Sequence, residues 1–166
     1  MKTLYLIRHA KSSWDFPDLS DFDRPLNKRG KRNAPEMGRR LRIRGVVPDI
    51  VLSSPARRAR ETCLAVCCEI AFPETAIIFD SAIYAAGVNT LLQTVEGLPD
   101  DASSAFLVSH NPGITSFAEY LTGESLVNIP TCGIACIEMD FDSWSLAGRE
   151  AGRLVFFDYP KKPFAG

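Results

Sequence analysis

No stretch of this sequence is apolar over the roughly 18 residues that a membrane-spanning helix needs. Before Arg8, Lys2 is followed only by the short run Thr3 to Ile7, too little for the apolar region of a signal peptide. Neither sign of charge is in excess: 19 Lys and Arg face 20 Asp and Glu, for a net charge of −1. Nothing therefore favours nucleic acid or a membrane surface as a bulk partner, and any anion chemistry must be local. The five cysteines are an odd number without a secretory signal and contain no Cys-x-x-Cys spacing. That pattern favours reduced thiols, with Cys63 and Cys67 acting as small apolar residues rather than as zinc ligands. No internal repeat, linker or low-complexity stretch is present. The expectation is a cytoplasmic protein forming one domain over residues 1–166, which should bury roughly 70% of its unfolded surface.

Histidine is scarcer still, with only two in the chain, and both follow apolar runs. "LYLIRHA" ends a strand-like run at Arg8 and His9, and "FLVSHNPG" ends another at Ser109 and His110. Between them, "DIVLSSPARRARET" predicts a strand over Ile50 to Ser53, then a helix capped by Ser54, with Pro55 at its first position and its end near Ala71. The remaining pattern predicts strand Thr3 to Ile7, a loop to about Leu26, and a helix from an Asn27 cap to Arg44, with Met37 and Leu41 on one face. Gly45 should stop that helix and Pro35 should bend or restart it. "AIIFD" predicts a third strand, Val88 to Gly97 a helix, and Ala105 to Ser109 a strand, with Asn111 and Pro112 opening the next helix. "GIACIEMDF" and "GRLVFFDYP" predict two closing strands. Strands alternating with helices imply an α/β fold, a three-layer α/β/α sandwich around a mostly parallel sheet.

In such a sheet the strand ends lie side by side, and this edge is where ligands bind. Arg8-His9, Ser53-Ser54 and Ser109-His110 then converge, and helix starts beside them attract anions. Arg57, Arg58 and Arg60 all fall in the first turns of one helix, with no acid before Glu61. Cations there oppose the helix dipole at about 0.3–1 kcal/mol each when exposed, a conflict that a bound oxyanion would remove. A solvated basic face is the simpler account of Arg57 and Arg60. A lone histidine at a strand end is usually structural, but two at equivalent ends suggest a site.

These motifs resemble the signature of the histidine phosphatase superfamily, which includes phosphoglycerate mutases and acid phosphatases. "LYLIRHA" matches its first motif with Ala10 where many members have glycine, "SSPARRARET" its second through Arg58, and "LVSHNPGI" its late histidine through His110. "RHAKSSWDFPDLSDFDRPLNKRG" is most similar to the SixA-type branch, whose members are phosphohistidine phosphatases. The resemblance implies a phosphoglycerate mutase-like fold and a catalytic set of His9, Arg8, Arg58 and His110. His9 would be the nucleophile, and Arg8, Arg58 and His110 would hold phosphoryl oxygens, with no cofactor and no metal. A backbone carbonyl is expected to fix the His9 tautomer.

One departure concerns the glutamate with which many members protonate the leaving oxygen: "FDSAIYAAG" offers Ala85 or Ala86 in its place. Losing a general acid slows departure of an alkoxide by ~10²–10⁴-fold, whereas imidazole, whose pKa lies near neutrality, needs far less help. A phosphohistidine-bearing protein is thus the expected partner, with phosphate as product. Small phosphate esters, with Asp80 or Asp15 as acid, and a non-catalytic phosphate-binding module are the alternatives. The short interval between Arg58 and His110 leaves little chain for a lid, so an open site is expected, and Trp14, Phe16 and Phe22 lie in the loop beside it.

Overall fold

The computed structural model describes residues 1–166. Six strands form one sheet: β1 (Lys2–Arg8), β2 (Ile50–Ser53), β3 (Ile78–Phe79), β4 (Ser104–Ser109), β5 (Ile134–Met139) and β6 (Gly152–Asp158). Their order is β3-β2-β4-β1-β5-β6. The first four are mutually parallel, and β5 runs antiparallel to both β1 and β6. Four helices cover the faces: α1 (Lys28–Ile43), α2 (Arg57–Glu69), α3 (Val88–Glu96) and α4 (Gly113–Thr122). This is the expected α/β architecture, with the two tail strands closing one side.

Side-chain alternation along the strands builds the three layers. From β1, Leu4 and Leu6 enter a core with Leu91 of α3 and Phe117 and Leu121 of α4, while Ile7 enters the opposite core with Met37 and Leu41 of α1. In β4, Leu107 points to the first and Phe106 and Val108 to the second. Cys63 and Cys67 are buried in the second core among apolar side chains, the small apolar role expected of them.

Four local expectations are corrected. Pro35 does not interrupt or restart α1, which is continuous from Lys28 to Ile43. An interior proline costs about 3 kcal/mol in an isolated helix, but here tertiary packing wins. Ala34, Met37 and Leu41 are buried, and α2 comes so close that a Cβ on Gly38 would lie 2.9 Å from Glu69 Cβ. Second, α2 begins at Arg57 rather than Pro55, with Ala56 at its cap and no side chain capping it. Third, α4 begins at Gly113 with Pro112 at its cap, and Asn111 uses its side chain elsewhere: its Oδ1 accepts from Thr115 Oγ1 at 2.6 Å. "AIIFD" contributes only Ile78–Phe79 as strand. Elsewhere the expected ends hold: Asn27 Oδ1 accepts from the Gly30 N–H at 2.9 Å, and Gly45 stops α1 in the left-handed region, at φ 74°.

Two glycines fix loops against this frame. A Cβ on Gly30 would sit 2.2 Å from the Lys11 carbonyl oxygen, so α1 presses directly on the chain leaving β1. One on Gly113 would sit 1.9 Å from the Ala86 oxygen, so the start of α4 is locked to the turn before α3.

Candidate active site

The sheet register brings the predicted residues together. Arg8 pairs with Ser109 across β1 and β4, and Ser53 with Val108 across β2 and β4. One residue later the backbone still holds: His9 N–H donates to the Ser109 carbonyl at 3.1 Å and Ser54 N–H to that of Val108 at 2.9 Å. His9 and His110 therefore emerge from neighbouring strands, their ring centroids 5.1 Å apart, and both are buried.

His9 Nδ1 lies 2.7 Å from the Ala10 carbonyl oxygen. A carbonyl can only accept, so Nδ1 carries the proton and Nε2 presents its lone pair. Arg58 Nε donates to that Nε2 at 3.3 Å. Burial, partly opposed by the Ala10 carbonyl and reinforced by the charges of Arg58 and Arg8, pushes the His9 pKa down to about 3. Burial, followed by the Arg58 charge, brings His110 to about 4. Both imidazoles are neutral at pH 7. His110 Nε2 meets Ser54 Oγ at 2.7 Å, and its Nδ1 is buried without a partner.

Arg58 enters from the first turn of α2 and is buried. Thr62, one turn on, ties the helix to the strand end, because its Oγ1 donates to the Arg58 carbonyl at 2.7 Å and accepts from Ala10 N–H at 2.9 Å. Arg8 reaches across β5's approach, its Nη1 donating to the Ile129 carbonyl at 2.9 Å, while its buried Nε has no partner. Burial holds its pKa below the ordinary arginine value. Arg57 and Arg60 stay outside: Arg57 pairs with Glu61 at 3.3 Å and Arg60 lies over the Phe79 ring. These two fit the solvated basic face.

Sequence reasoning placed Ser54 at the converging strand ends but gave it only a capping role, and it missed Asp21 and Tyr84. Ser54 looked like a helix cap, yet its hydroxyl meets His110 and accepts from Ala56 N–H at 3.2 Å. Asp21, on a short 3-10 turn over Asp21–Asp23, reaches Arg58 twice, with its backbone oxygen 2.6 Å from Nη1 and Oδ2 3.0 Å from Nη2. Tyr84 Oη donates to the same Oδ2 at 2.5 Å, and its ring stands edge-on to His110 with centroids 5.4 Å apart. Hydrogen bonds from Tyr84 and then Arg58 hold the Asp21 carboxyl down to about 2. No spacing signal links Asp21 to Tyr84, since the two are 63 positions apart. Of the two aspartates considered as acids, Asp80 accepts from Ala82 N–H at 2.9 Å as a turn cap. Asp15 is exposed and lines a separate recess with Phe16, Leu19 and Arg57. Beside His110, Ala85, Ala86, Asn111 and Gly113 line a cavity of about 250 Å³.

A neutral imidazole with a fixed tautomer, two guanidinium groups and a second neutral imidazole form a set able to receive a tetrahedral oxyanion and attack its centre. No group of three His, Cys, Asp or Glu side chains converges as metal ligands do, and no helix is long and apolar enough to cross a membrane.

Comparison with known proteins agrees with this fold. The family model of the histidine phosphatase superfamily (branch 1) matches residues 4–80. An uncharacterized chloroplastic protein of Arabidopsis thaliana is 34% identical over 155 residues, covering 88% of this chain and 70% of that protein. A crystal structure from Agrobacterium tumefaciens, of a protein proposed to be the phosphohistidine phosphatase SixA, is 30% identical with a TM-score of 0.80, covering 96% of this chain and 98% of that one. A structure from Nakamurella multipartitia with the same provisional assignment is 26% identical with a TM-score of 0.81, covering 97% of each chain. With its phosphoglycerate mutase-like fold and its three motifs gathered at one sheet edge, the chain belongs to the histidine phosphatase superfamily, beside the SixA-type members.

Proposed function

We propose that the protein is a metal-independent phosphatase that works through a phosphohistidine intermediate on His9 and acts on protein phosphohistidine. Membership of the superfamily supports phosphatase activity in general. The observation that carries the finer reading is the tether of His9 Nδ1 to the Ala10 carbonyl, which leaves a neutral, oriented Nε2 beside Arg58. In the first step Nε2 attacks phosphorus, the bond from phosphorus to the substrate ring nitrogen breaks, and its electron pair stays on that nitrogen. The His9 ring then carries Nδ1–H and Nε2–P, and its positive charge is stabilised by the Ala10 carbonyl. Water attacks phosphorus in the second step, the Nε2–P bond returns its electrons to Nε2, and dihydrogen phosphate leaves. Arg8, Arg58 and His110 Nδ1 are the donors for the phosphoryl oxygens.

One feature supports a P–N substrate: Ala85 and Ala86 supply no acid where many relatives carry one, and an imidazole leaving group needs none. The open site expected from the short interval is not what the structure has, because His9 and Arg58 are buried and the Asp21 turn, bonded to Tyr84, lies on Arg58. The cavity beside His110 would fit a compact leaving group, and small phosphate esters are the second reading. The test is phosphate release by wild type and His9→Ala from a phosphohistidine protein and an aryl phosphate, in chelator. Loss of both activities on mutation, with the P–N substrate preferred by wild type, is expected. A wild type preferring the ester would select the second reading, and one that binds phosphate without releasing any would leave only a binding module.

A further inference from the structure

The interval where an acid is missing is not without a carboxylate in space. Tyr84, directly before Ala85, donates to Asp21, and Asp21 also sits on Arg58, the residue proposed to hold the phosphoryl group. The Asp21 side chain is half exposed whereas Arg58 and His9 are buried, so this carboxylate stands on the solvent side of the guanidinium, where a substrate arrives. Arg58 has five N–H donors, of which three are used here: Nε on His9, Nη1 on the Asp21 backbone oxygen and Nη2 on its carboxylate. A phosphoryl dianion and a carboxylate on one guanidinium repel each other. The backbone contact can keep the turn in place while the side chain swings, so arrival of the dianion moves the carboxylate off Nη2 without unseating the turn.

Resting on the phosphohistidine reading, we propose that Asp21 is the leaving-group residue of this site, its carboxylate accepting the N–H of a departing imidazole and disfavouring leaving groups that are anionic. The reactive form of a phosphorylated imidazole carries phosphorus on one ring nitrogen and a proton on the other. When the P–N bond breaks, the electron pair returns to the first nitrogen, the proton stays on the second, and a neutral imidazole departs. No proton is transferred, so an ionised carboxylate is the fitting partner and an acid is not required. The hydrogen bonds from Tyr84 and Arg24, which do not depend on Arg58, suit an ionised Asp21 to this role and unsuit it to protonating an alkoxide. The transfer is then nearly symmetric: each imidazole has its distal N–H held by an oxygen, the Ala10 carbonyl for His9 and the Asp21 carboxylate for the substrate.

The experiment compares kcat/KM for phosphoimidazole and p-nitrophenyl phosphate in wild type, Asp21→Asn and Tyr84→Phe. In Asp21→Asn the ratio of the two, P–N over aryl ester, should fall about 10- to 100-fold, the range of a hydrogen bond to a charged group. Turnover of the aryl ester should rise, because nitrophenolate no longer meets a carboxylate and Arg58 is released. Tyr84→Phe, which removes one of the hydrogen bonds orienting Asp21, should move the ratio the same way by less, and it serves if Asp21→Asn does not fold. A parallel fall on both substrates, or an unmoved ratio, overturns the role of Asp21 alone. A wild type that hydrolyses the aryl ester but not phosphoimidazole overturns the phosphohistidine reading together with it.

Discussion

The strand ends and the loop over residues 10–27 both supply the site, by different physics. His9 and Ser54 are placed by sheet hydrogen bonds that continue the ladders by one residue, and His110 directly follows β4 with its carbonyl accepting from Ile114 of α4. Asp21 sits on an exposed turn without buried residues and is placed by side-chain contacts to Arg58, Arg24 and Tyr84. Groups fixed by a parallel sheet are pre-organised, and preorganised dipoles account for much of phosphoryl transfer. Groups on an exposed turn can yield to an arriving anion. Under the proposed function this difference becomes a division of labour: the rigid edge would receive the phosphoryl group and the loop would meet what leaves.

The largest expected effect tests the rigid side. His9→Ala removes the atom proposed to attack, and kcat on any substrate should drop on the order of 10⁴-fold or more, measured as phosphate release. Retained phosphate binding in the same variant would show that Arg8, Arg58 and His110 assemble without it. Appreciable residual turnover would mean that the nucleophile lies elsewhere, and the comparison would break.

Acid behaviour separates the two regions next. The folded pKa values of His9 and His110, about 3 and about 4, lie below the ordinary histidine value of 6.5. The unfolded chain therefore binds more protons than the folded one as pH falls below about 6.5, and stability declines from there until each folded-state pKa is passed. For each of these groups the loss approaches about 1.4 kcal/mol per pH interval of one. Asp21, held down to about 2, loses its folded-state advantage only below the usual carboxylate range. Urea midpoints at pH 7 and pH 5 should thus reveal the histidines and not Asp21, and replacing both histidines by Gln should flatten that interval. In the activity profile the acid limb of kcat/KM on an aryl phosphate should fall near pH 3 to 4 instead of 6.5, provided the fold survives there.

A smaller effect probes the seam between the regions. The Cβ of Gly30→Ala would lie 2.2 Å from the Lys11 backbone oxygen, so α1 or the loop must shift. Overpacking of this kind costs about 1–3 kcal/mol. A lowered Tm accompanied by a lowered kcat/KM is expected, since the displaced chain begins two residues after His9.

How much of this was visible in the sequence depends on the same distinction. Arg8, His9, Arg58 and His110 were legible because each follows an apolar run or opens a helix within an ordered motif, so position along the element fixes position in space. The alternation of apolar runs with helical segments gave the three layers for the same reason, and the side chains of β1 and β4 divide between the two cores. Ser54 was visible but misassigned, because a serine before a proline and a helix looks like a cap until its neighbour across the sheet, His110, is known. Pro35 misled in the opposite sense, its local preference overridden by close packing at Gly38. Asp21 and Tyr84 were illegible because only tertiary folding relates them, across 63 positions.

The smallest expected effect bears on a residue that sequence reasoning did single out. Asp80 follows a strand and precedes the interval where an acid was sought, which made it a candidate donor for small esters. In the structure its carboxylate accepts the Ala82 N–H and caps a single 3-10 turn over Ser81–Ile83. Asp80→Ala should therefore lower stability by about 0.5–1 kcal/mol, the value of a cap, with kcat on both P–N and P–O substrates moving less than twofold. A collapse of ester hydrolysis with its pH dependence altered would instead make Asp80 the acid. Asp21 would then share the leaving-group side with a second carboxylate, and loop and strand end could no longer be assigned separate tasks.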